Sequence, residues 1–179
     1  MRADGKGREY KYRVPMPGAV EYPHKELPID PYVLGVWLGD GSSSGQCITV
    51  SEDDLEGTKT RIEERGYACS VIRYKDRASA IDIDPHPRGC SRKLYDGSFR
   101  YALRSLGVLE NKHIPEIYLT ASVEQRKDLL CGLMDTDGTV SKTGQCTFTQ
   151  KSKIVAQQVL QLVRSMGIKA SMREVDATC

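Results

Sequence analysis

A nine-residue phrase that occurs twice constrains the fold of this chain more than any other feature of the sequence. Residues 33–41 read VLGVWLGDG and residues 130–138 read LCGLMDTDG, so a glycine, an aspartate and a final glycine hold the same three places. The copies are separated by 137 − 40 = 97 residues at the aspartates and by 144 − 45 = 99 residues at the G-Q-C triplets that follow. This repeat predicts two structural copies related by pseudo-twofold symmetry, not a solenoid of many units.

The residues around each phrase predict the same order of helices and strands. Asp30 and Pro31 suit the N-cap and first position of a helix that stops at Gly41, and Ser122 with Gln125 forms a capping box for the second motif helix. Further helices are predicted over 54–65, 98–106 and 153–166, and strands over 46–51, 67–74, 79–84, 144–150 and, by analogy with 65–74, within 166–175.

Composition sets limits but does not identify a function. The 179 residues suffice for one domain or for two small halves that share a core, and a net charge of +2 permits nucleic-acid binding without arguing for it. The six cysteines include no C-x-x-C pair, which argues against a zinc site and a disulfide framework. Without an apolar run of about 18 residues or a signal-peptide core, the chain is expected to be soluble, intracellular and cytoplasmic, in a bacterial or phage host.

Small residues are spaced along each motif helix so that two helices can approach closely. Gly35 and Gly39 in one helix, and Gly132 and Thr136 in the other, lie four residues apart and therefore on one face. We expect the two motif helices to pack against each other side by side, which brings their C-terminal ends together.

Asp40 and Asp137 would then meet at a place where carboxylates are disfavoured, because they repel each other and the helix dipoles are negative there. A cation between them resolves this conflict, and Mg²⁺ suits carboxylates together with the main-chain oxygens of Gly39 and Thr136. A single D-G pair could simply end a helix in a turn, but two copies with matched flanks favour the metal site. The spacing of D-T-D-G does not fit an EF-hand loop.

The two phrases resemble the doubled motif of the LAGLIDADG, or dodecapeptide, homing endonucleases, over about residues 28–179. The first copy departs at the sixth position, where Leu38 stands in place of the acid found at Asp135. The resemblance implies an α/β (α+β) fold with two pseudo-symmetric α-β-β-α-β-β-α halves. It also implies that the eighth motif residue, Asp40 or Asp137, binds the catalytic divalent metal, Mg²⁺.

The segment NKHIP, residues 111–115, resembles the region between the repeats in intein-borne members of this family. The resemblance places Lys112 at a catalytic lysine that stabilises charge on the scissile phosphate or helps to activate water. A lone lysine at this position is more often a surface residue, and it is the NKHIP context that favours the catalytic role for Lys112. The same spacing puts its counterpart at 112 + 97 = 209, so we expect only one of the two catalytic lysines among these 179 residues.

In this family the sheets form a saddle over the DNA major groove, which makes the polar strand residues candidates for DNA contacts. Glutamine and arginine suit base edges, while lysine and threonine also suit phosphates. Which face of each strand meets DNA depends on the strand register, which stays open here. The candidates are Ser43, Gln46, Thr49, Arg73, Lys75, Arg77, Lys142, Gln145, Thr147, Thr149 and Arg173.

The sequence is accordingly divided into an extended arm or intein-linker remnant over 1–27, a first repeat over 28–112 and a C-terminally incomplete second repeat over 113–179. The expected function is that of a monomeric, intein-associated homing endonuclease, which hydrolyses phosphodiester bonds at a long asymmetric site in double-stranded DNA. No protein splicing by these residues is expected. Three alternatives stay open: a non-cleaving DNA binder, an RNA maturase and an inactive intein insert of the same fold.

Overall fold

The computed structural model describes residues 12, 15–75, 78–84 and 97–176. Within these residues the helices and strands mix in an α+β arrangement with small antiparallel sheets, which confirms the predicted fold class. The elements in chain order are α1 Pro31–Asp40, β1 Cys47–Val50, α2 Leu55–Glu63, β2 Cys69–Ile72, β3 Ser79–Ile83, α3 Phe99–Ser105, α4 Glu116–Leu119, α5 Val123–Asp137, β4 Gly138–Val140, β5 Cys146–Phe148 and α6 Lys153–Ser165.

The motif helices α1 and α5 begin and end where the sequence predicts. The Asp30 carboxylate accepts hydrogen bonds from the main-chain N–H groups of Tyr32 and Val33, with Pro31 in the first turn. The capping box of Ser122 and Gln125 is formed at the start of α5. Both helices end at a glycine in extended backbone, so the chain runs directly from each helix into a strand or bridge.

The two motif helices pack backbone against backbone at their glycines. A Cβ atom on Gly35 would overlap the main-chain oxygen of Leu129, and one on Gly132 would overlap that of Tyr32. A Cβ on Gly39 would overlap the side chain of Thr136. These contacts confirm the predicted close approach, which brings the C-terminal ends of α1 and α5 to the same end of the pair.

The sheet of the first half has the strand order β1-β3-β2, with both neighbouring pairs antiparallel. Ile48, Ile81 and Val71 align across it and face the core side, where Ile48 and Ile81 are fully buried. Thr49 and Ala80 pair on the opposite face. The register therefore decides which side chains of this sheet point away from the helices.

The second half has a two-stranded sheet in which Gly138 pairs with Phe148, as Gly41 pairs with Ile48 in the first half. Ile48 and Phe148 are therefore equivalent in the two copies. They are 148 − 48 = 100 residues apart, whereas the G-Q-C triplets are 99 residues apart. The second hairpin is longer in its paired part, since Thr139 pairs with Thr147 and Val140 with Cys146 before its turn. Because one residue of shift exchanges the two faces of a strand, only the observed register assigns these faces correctly.

The strand predicted within 166–175 is wrong, because residues 168–176 form neither helix nor strand. Its counterpart in the first half, β2, is held in the sheet only by β3. No counterpart of β3 lies among the described residues of the second half, so the segment has no strand to pair with. Gly66 and Gly167, the helix-ending glycines, do correspond, with φ of +86° and +76°.

Residues 15–27, the described part of the predicted arm besides residue 12, lie across the N-terminal part of α5. Lys25 exchanges main-chain hydrogen bonds with the Gln125 amide at 3.0 and 2.6 Å. Val20 donates its N–H to the Ser165 carbonyl at 2.8 Å, at the end of α6. No helix among the described residues is long and apolar enough to cross a membrane.

Candidate active site

Asp40 and Asp137 are the last residues of α1 and α5, and Lys112 reaches the same place from the segment before α4. The Lys112 ammonium donates to the main-chain oxygens of Leu38 at 3.0 Å and Gly39 at 3.1 Å. These carbonyls have no partner within the helix because they lie in its last turn. The lysine therefore caps α1 and is fixed beside its terminal aspartate.

The three charged groups perturb one another. Burial raises the pKa of the Asp40 carboxyl, and the charge of Lys112 partly offsets this. The pKa of Asp137 is raised by burial and then by the Asp40 charge, again offset by Lys112. Burial lowers the pKa of Lys112, whereas Asp137 and Asp40 act in the opposite direction. One ammonium thus balances two carboxylates, and a divalent cation would neutralise the remaining negative charge.

The donor set fits Mg²⁺ better than a softer metal. The described residues contain no cluster of three or more His, Cys, Asp or Glu side chains that could hold a metal ion. What this end of the helix pair offers is two carboxylates and helix-terminal carbonyls, which are hard oxygen ligands of the kind Mg²⁺ accepts along with water. The Gly39 oxygen is already hydrogen bonded to Lys112, so Thr136 has the less engaged of the two predicted main-chain ligands.

Gln150 belongs to the same site, although the sequence analysis did not identify it. Its amide nitrogen donates to the Asp137 carboxylate at 2.8 Å, and its amide oxygen accepts from the N–H of Lys151 at 2.8 Å. The antiparallel pairing of β4 with β5 returns the chain to the end of α5, where the Thr149 N–H also bonds the Asp137 carbonyl at 3.1 Å. The only signal in the sequence is a polar residue placed directly after the second strand.

Asp135, the acid at the sixth motif position, lies apart from Asp40, Asp137 and Lys112. Its carboxylate accepts a hydrogen bond from the Tyr32 hydroxyl at 2.9 Å and pairs with Arg61 of α2. Leu38, at the equivalent position of the first copy, is fully buried. The two copies therefore differ at this position: Leu38 fills the core, whereas Asp135 links α5 to Tyr32 of α1 and Arg61 of α2 at the surface.

The predicted DNA contacts in the first half are not equally available. Ser43, Thr49, Arg73 and Lys75 are exposed, and Arg73 lies 4.0 Å from the Glu52 carboxylate. Gln46 is 7% exposed. Its amide nitrogen donates to the Asp82 carboxylate at 2.9 Å, which turns it away from solvent. Arg77 lies outside the described residues.

The predicted DNA contacts in the second half are all exposed. Gln145, Thr147 and Thr149 alternate with Phe148, which packs against the core, so these three share the open face of the strand. Lys142 lies in the turn before β5 and Arg173 in the segment after α6. The structure thus brings Asp40, Asp137 and Lys112 together, and it spreads the polar strand residues along two hairpins beside them.

The comparison with known families agrees with the motifs. A family model described as a LAGLIDADG-like domain matches residues 124–178. This match supports the resemblance to the LAGLIDADG family over residues 124–178, which include the second phrase.

A curated relative, the replicative DNA helicase DnaB of Mycobacterium intracellulare, is 33% identical over 151 residues, which are 84% of this chain. The chain spans 21% of the length of that relative. Among solved structures, mesophilic variants of the homing endonuclease I-DmoI are 16% identical, with a TM-score of 0.48, over 78% of this chain and 77% of theirs. The resemblance to the family rests on the motifs and, over residues 124–178, on the family model.

Proposed function

We propose that this chain is a site-specific homing endonuclease that hydrolyses phosphodiester bonds of double-stranded DNA with a divalent metal. The observation that carries this proposal is the meeting of Asp40, Asp137 and Lys112 at one end of a glycine-packed helix pair. Three charged groups that disturb one another at an accessible helix end are costly to stability, and such arrangements are typical of functional sites.

Asp40 and Asp137, with the Thr136 carbonyl, would hold Mg²⁺. A bound Mg²⁺ supplies positive charge for the scissile phosphate and acidifies a water. Gln150 orients the Asp137 carboxylate through its 2.8 Å hydrogen bond. Lys112 is held by two carbonyls in one position, so its ammonium is preorganised to stabilise negative charge on a phosphate, with little cost of rearrangement.

The DNA would lie along the open faces of the two hairpins. Thr49, Gln145, Thr147 and Thr149 are the side chains that the register directs to these faces. Lys75, Lys142 and Arg173 flank them and suit phosphates, as do Ser43 and Arg73. Gln46 is left out of this interface because its amide is already bonded inside the protein.

The proposal extends to the origin of the domain. This chain matches about a fifth of a replicative helicase, and we infer that it is an insert within a longer protein of that kind, in line with the resemblance of NKHIP to intein-borne members. Its cleavage site would then be the uninterrupted helicase gene at the point of insertion. Both motif copies lie in one chain, so it would act as a monomer.

Plasmid cleavage tests the proposal, with a plasmid that carries the uninterrupted helicase sequence, in Mg²⁺ or in Ca²⁺. Linear or nicked product is expected with Mg²⁺, and Asp137→Asn should abolish it. Asp135→Asn is the matched control, because it makes the same chemical change two residues away at an ion pair with Arg61, and it should cut. Binding without cutting would point to a non-cleaving DNA binder or an RNA maturase, and neither binding nor cutting to an inactive insert.

A further inference from the structure

A cleft lies beside the candidate active site, between the turn that follows α1 and the helix α3. Its volume is about 320 Å³, and it is lined by Ser44, Arg100, Arg104, Gly107, Leu109 and Glu110. None of these residues belongs to the strand faces proposed to meet DNA. The cleft is therefore a separate feature of the surface whose two arginines need an explanation.

Arg100 and Arg104 are four residues apart on α3 and so project from one face of the helix. Arg100 donates to the Ser44 carbonyl at 3.0 Å. Within the described part of the chain, the Arg104 side chain makes no hydrogen bond or ion pair, and neither arginine pairs with a carboxylate, Glu110 included. Two like charges at this spacing repel each other, and a bound anion would relieve that repulsion.

The contacts that hold the lining of the cleft in place also position Lys112. The Glu110 N–H donates to the Ser43 carbonyl at 2.8 Å, and Lys112 follows two residues later. Trp37 of α1 donates its ring N–H to the Gly45 carbonyl at 2.8 Å, and the Lys112 ammonium lies 5.2 Å from the centre of the same ring. One indole thus positions both the turn that lines the cleft and the lysine of the active site.

We propose that Arg100 and Arg104 bind a phosphodiester anion, the DNA backbone phosphate that passes beside the site at Asp40. A guanidinium group can donate two parallel hydrogen bonds to the oxygens of a phosphate. The two positive charges of the arginines exceed the one negative charge of Glu110, so the cleft keeps a net positive charge. The contact extends the DNA interface from the sheet to α3, and it positions the strand without reading its sequence. DNA as the source of the phosphate rests on the proposed function, whereas affinity for the anion does not.

The test measures how binding of a 30-base-pair duplex of arbitrary sequence depends on salt, by fluorescence anisotropy in Ca²⁺. Loss of one phosphate contact lowers the slope of log K against log salt by about 0.9. Arg104→Ala is expected to show this loss. Lys127→Ala, which removes one charge from the exposed surface of α5, is the matched control and should keep the wild-type slope.

A second measurement separates this proposal from the proposed function. Inorganic phosphate should raise the melting temperature of the wild-type chain more than that of Arg104→Ala. If the wild-type chain binds no duplex but retains this difference, the cleft is a site for free phosphate and the endonuclease proposal fails alone. Equal salt slopes for Arg104→Ala and Lys127→Ala, or equal responses of wild type and Arg104→Ala to phosphate, would overturn the phosphate site.

Discussion

The two terminal aspartates show how a single residue can oppose stability and serve a site. Each stands at the C-terminal end of a helix, where the dipole disfavours negative charge, and each has a raised pKa because burial disfavours the ionised carboxyl. Gln150 contributes one hydrogen bond to Asp137, and the positive charge of Lys112 partly offsets the effect of burial on both carboxyls. The end of the helix pair is therefore electrostatically strained.

Asp137→Asn should stabilise the metal-free protein at pH 7.5, because it removes a charge that the folded state disfavours. A raised pKa in the folded state means that the group's contribution to stability is present below its unfolded pKa of about 3.8 and is lost as pH rises through the folded pKa. The stability that Asp137→Asn gains over the wild type should therefore shrink as pH falls from the folded-state pKa towards 3.8. Urea unfolding with chelator at several pH values measures it.

Asp135→Asn is the control for this prediction and should have the opposite sign. It loses the ion pair with Arg61, which is worth up to about 1 kcal/mol at an exposed position.

Added Mg²⁺ should stabilise the wild type at pH 7.5 and leave Asp137→Asn unchanged. An Asp137→Asn protein less stable than wild type without metal would contradict the account of a strained site.

At the scale of elements, the pairing of α1 with α5 depends on the absence of side chains at their crossing. Gly35 and Gly132 contact the opposing backbone, which cannot move aside as a flexible side chain would. This pair also explains why both aspartates lie at the same end. In each copy the motif helix positions the aspartate. The hairpin that follows it has a fixed register, and this register determines which polar strand residues lie on its open face.

Gly132→Ala should destabilise the protein by about 3 kcal/mol, because the added methyl group overlaps the Tyr32 carbonyl in a packed interior. Gly57→Ala is the matched control: Gly57 lies in α2, and a Cβ there meets nothing within 4 Å. It should stabilise by about 0.5 to 1 kcal/mol through helix propensity alone. Chemical unfolding followed by circular dichroism measures both, and equal effects of the two substitutions would refute close backbone packing.

At the scale of the whole molecule, one buried arginine joins three segments that are distant in sequence. Arg126 has no exposed surface, and its guanidinium donates to the carbonyls of Ala121, Val20 and Ser165. It also lies 5.1 Å from the centre of the Tyr22 ring. The arm, the start of α5 and the end of α6 are thus held together at the end of α5 opposite to the active site.

Arg126→Gln should destabilise the fold by about 3 kcal/mol, because hydrogen bonds from a charged group are worth about 1.5 to 3 kcal/mol each and the shorter amide cannot replace them. It should also make the arm over 15–27 more sensitive to limited proteolysis. Lys127→Ala, at the exposed neighbouring position, should change neither property.

The effect of Arg126→Gln should not extend to the active site. Arg126 and Asp137 are separated by 11 residues of α5, or about 16 Å at the rise of a helix. Below the unfolding temperature, Arg126→Gln should therefore retain the Mg²⁺ response of the wild type. A lost Mg²⁺ response in folded protein would show that the two ends of α5 are coupled.

Local interactions account for what the sequence by itself determined: the helix caps at Asp30 and Ser122, the helix-ending glycines and the repeated phrase that places Asp40 and Asp137 at equivalent helix ends. These depend on neighbours within about four residues, so they can be read from spacing. The glycine-packed helix pair was predictable as well, because the small residues recur on one face.

The tertiary structure alone decided the rest, because the partners are far apart in the chain. Gln46 and Gln145 follow the same glycine in their copies, yet one is buried and the other is exposed, since the register differs by one residue. Gln150 reaches Asp137, and Arg126 reaches the arm, only when strands and helices pack. The residues after α6 form no strand because the described chain offers them no partner, and intrinsic strand preference cannot replace the hydrogen bonds of a sheet.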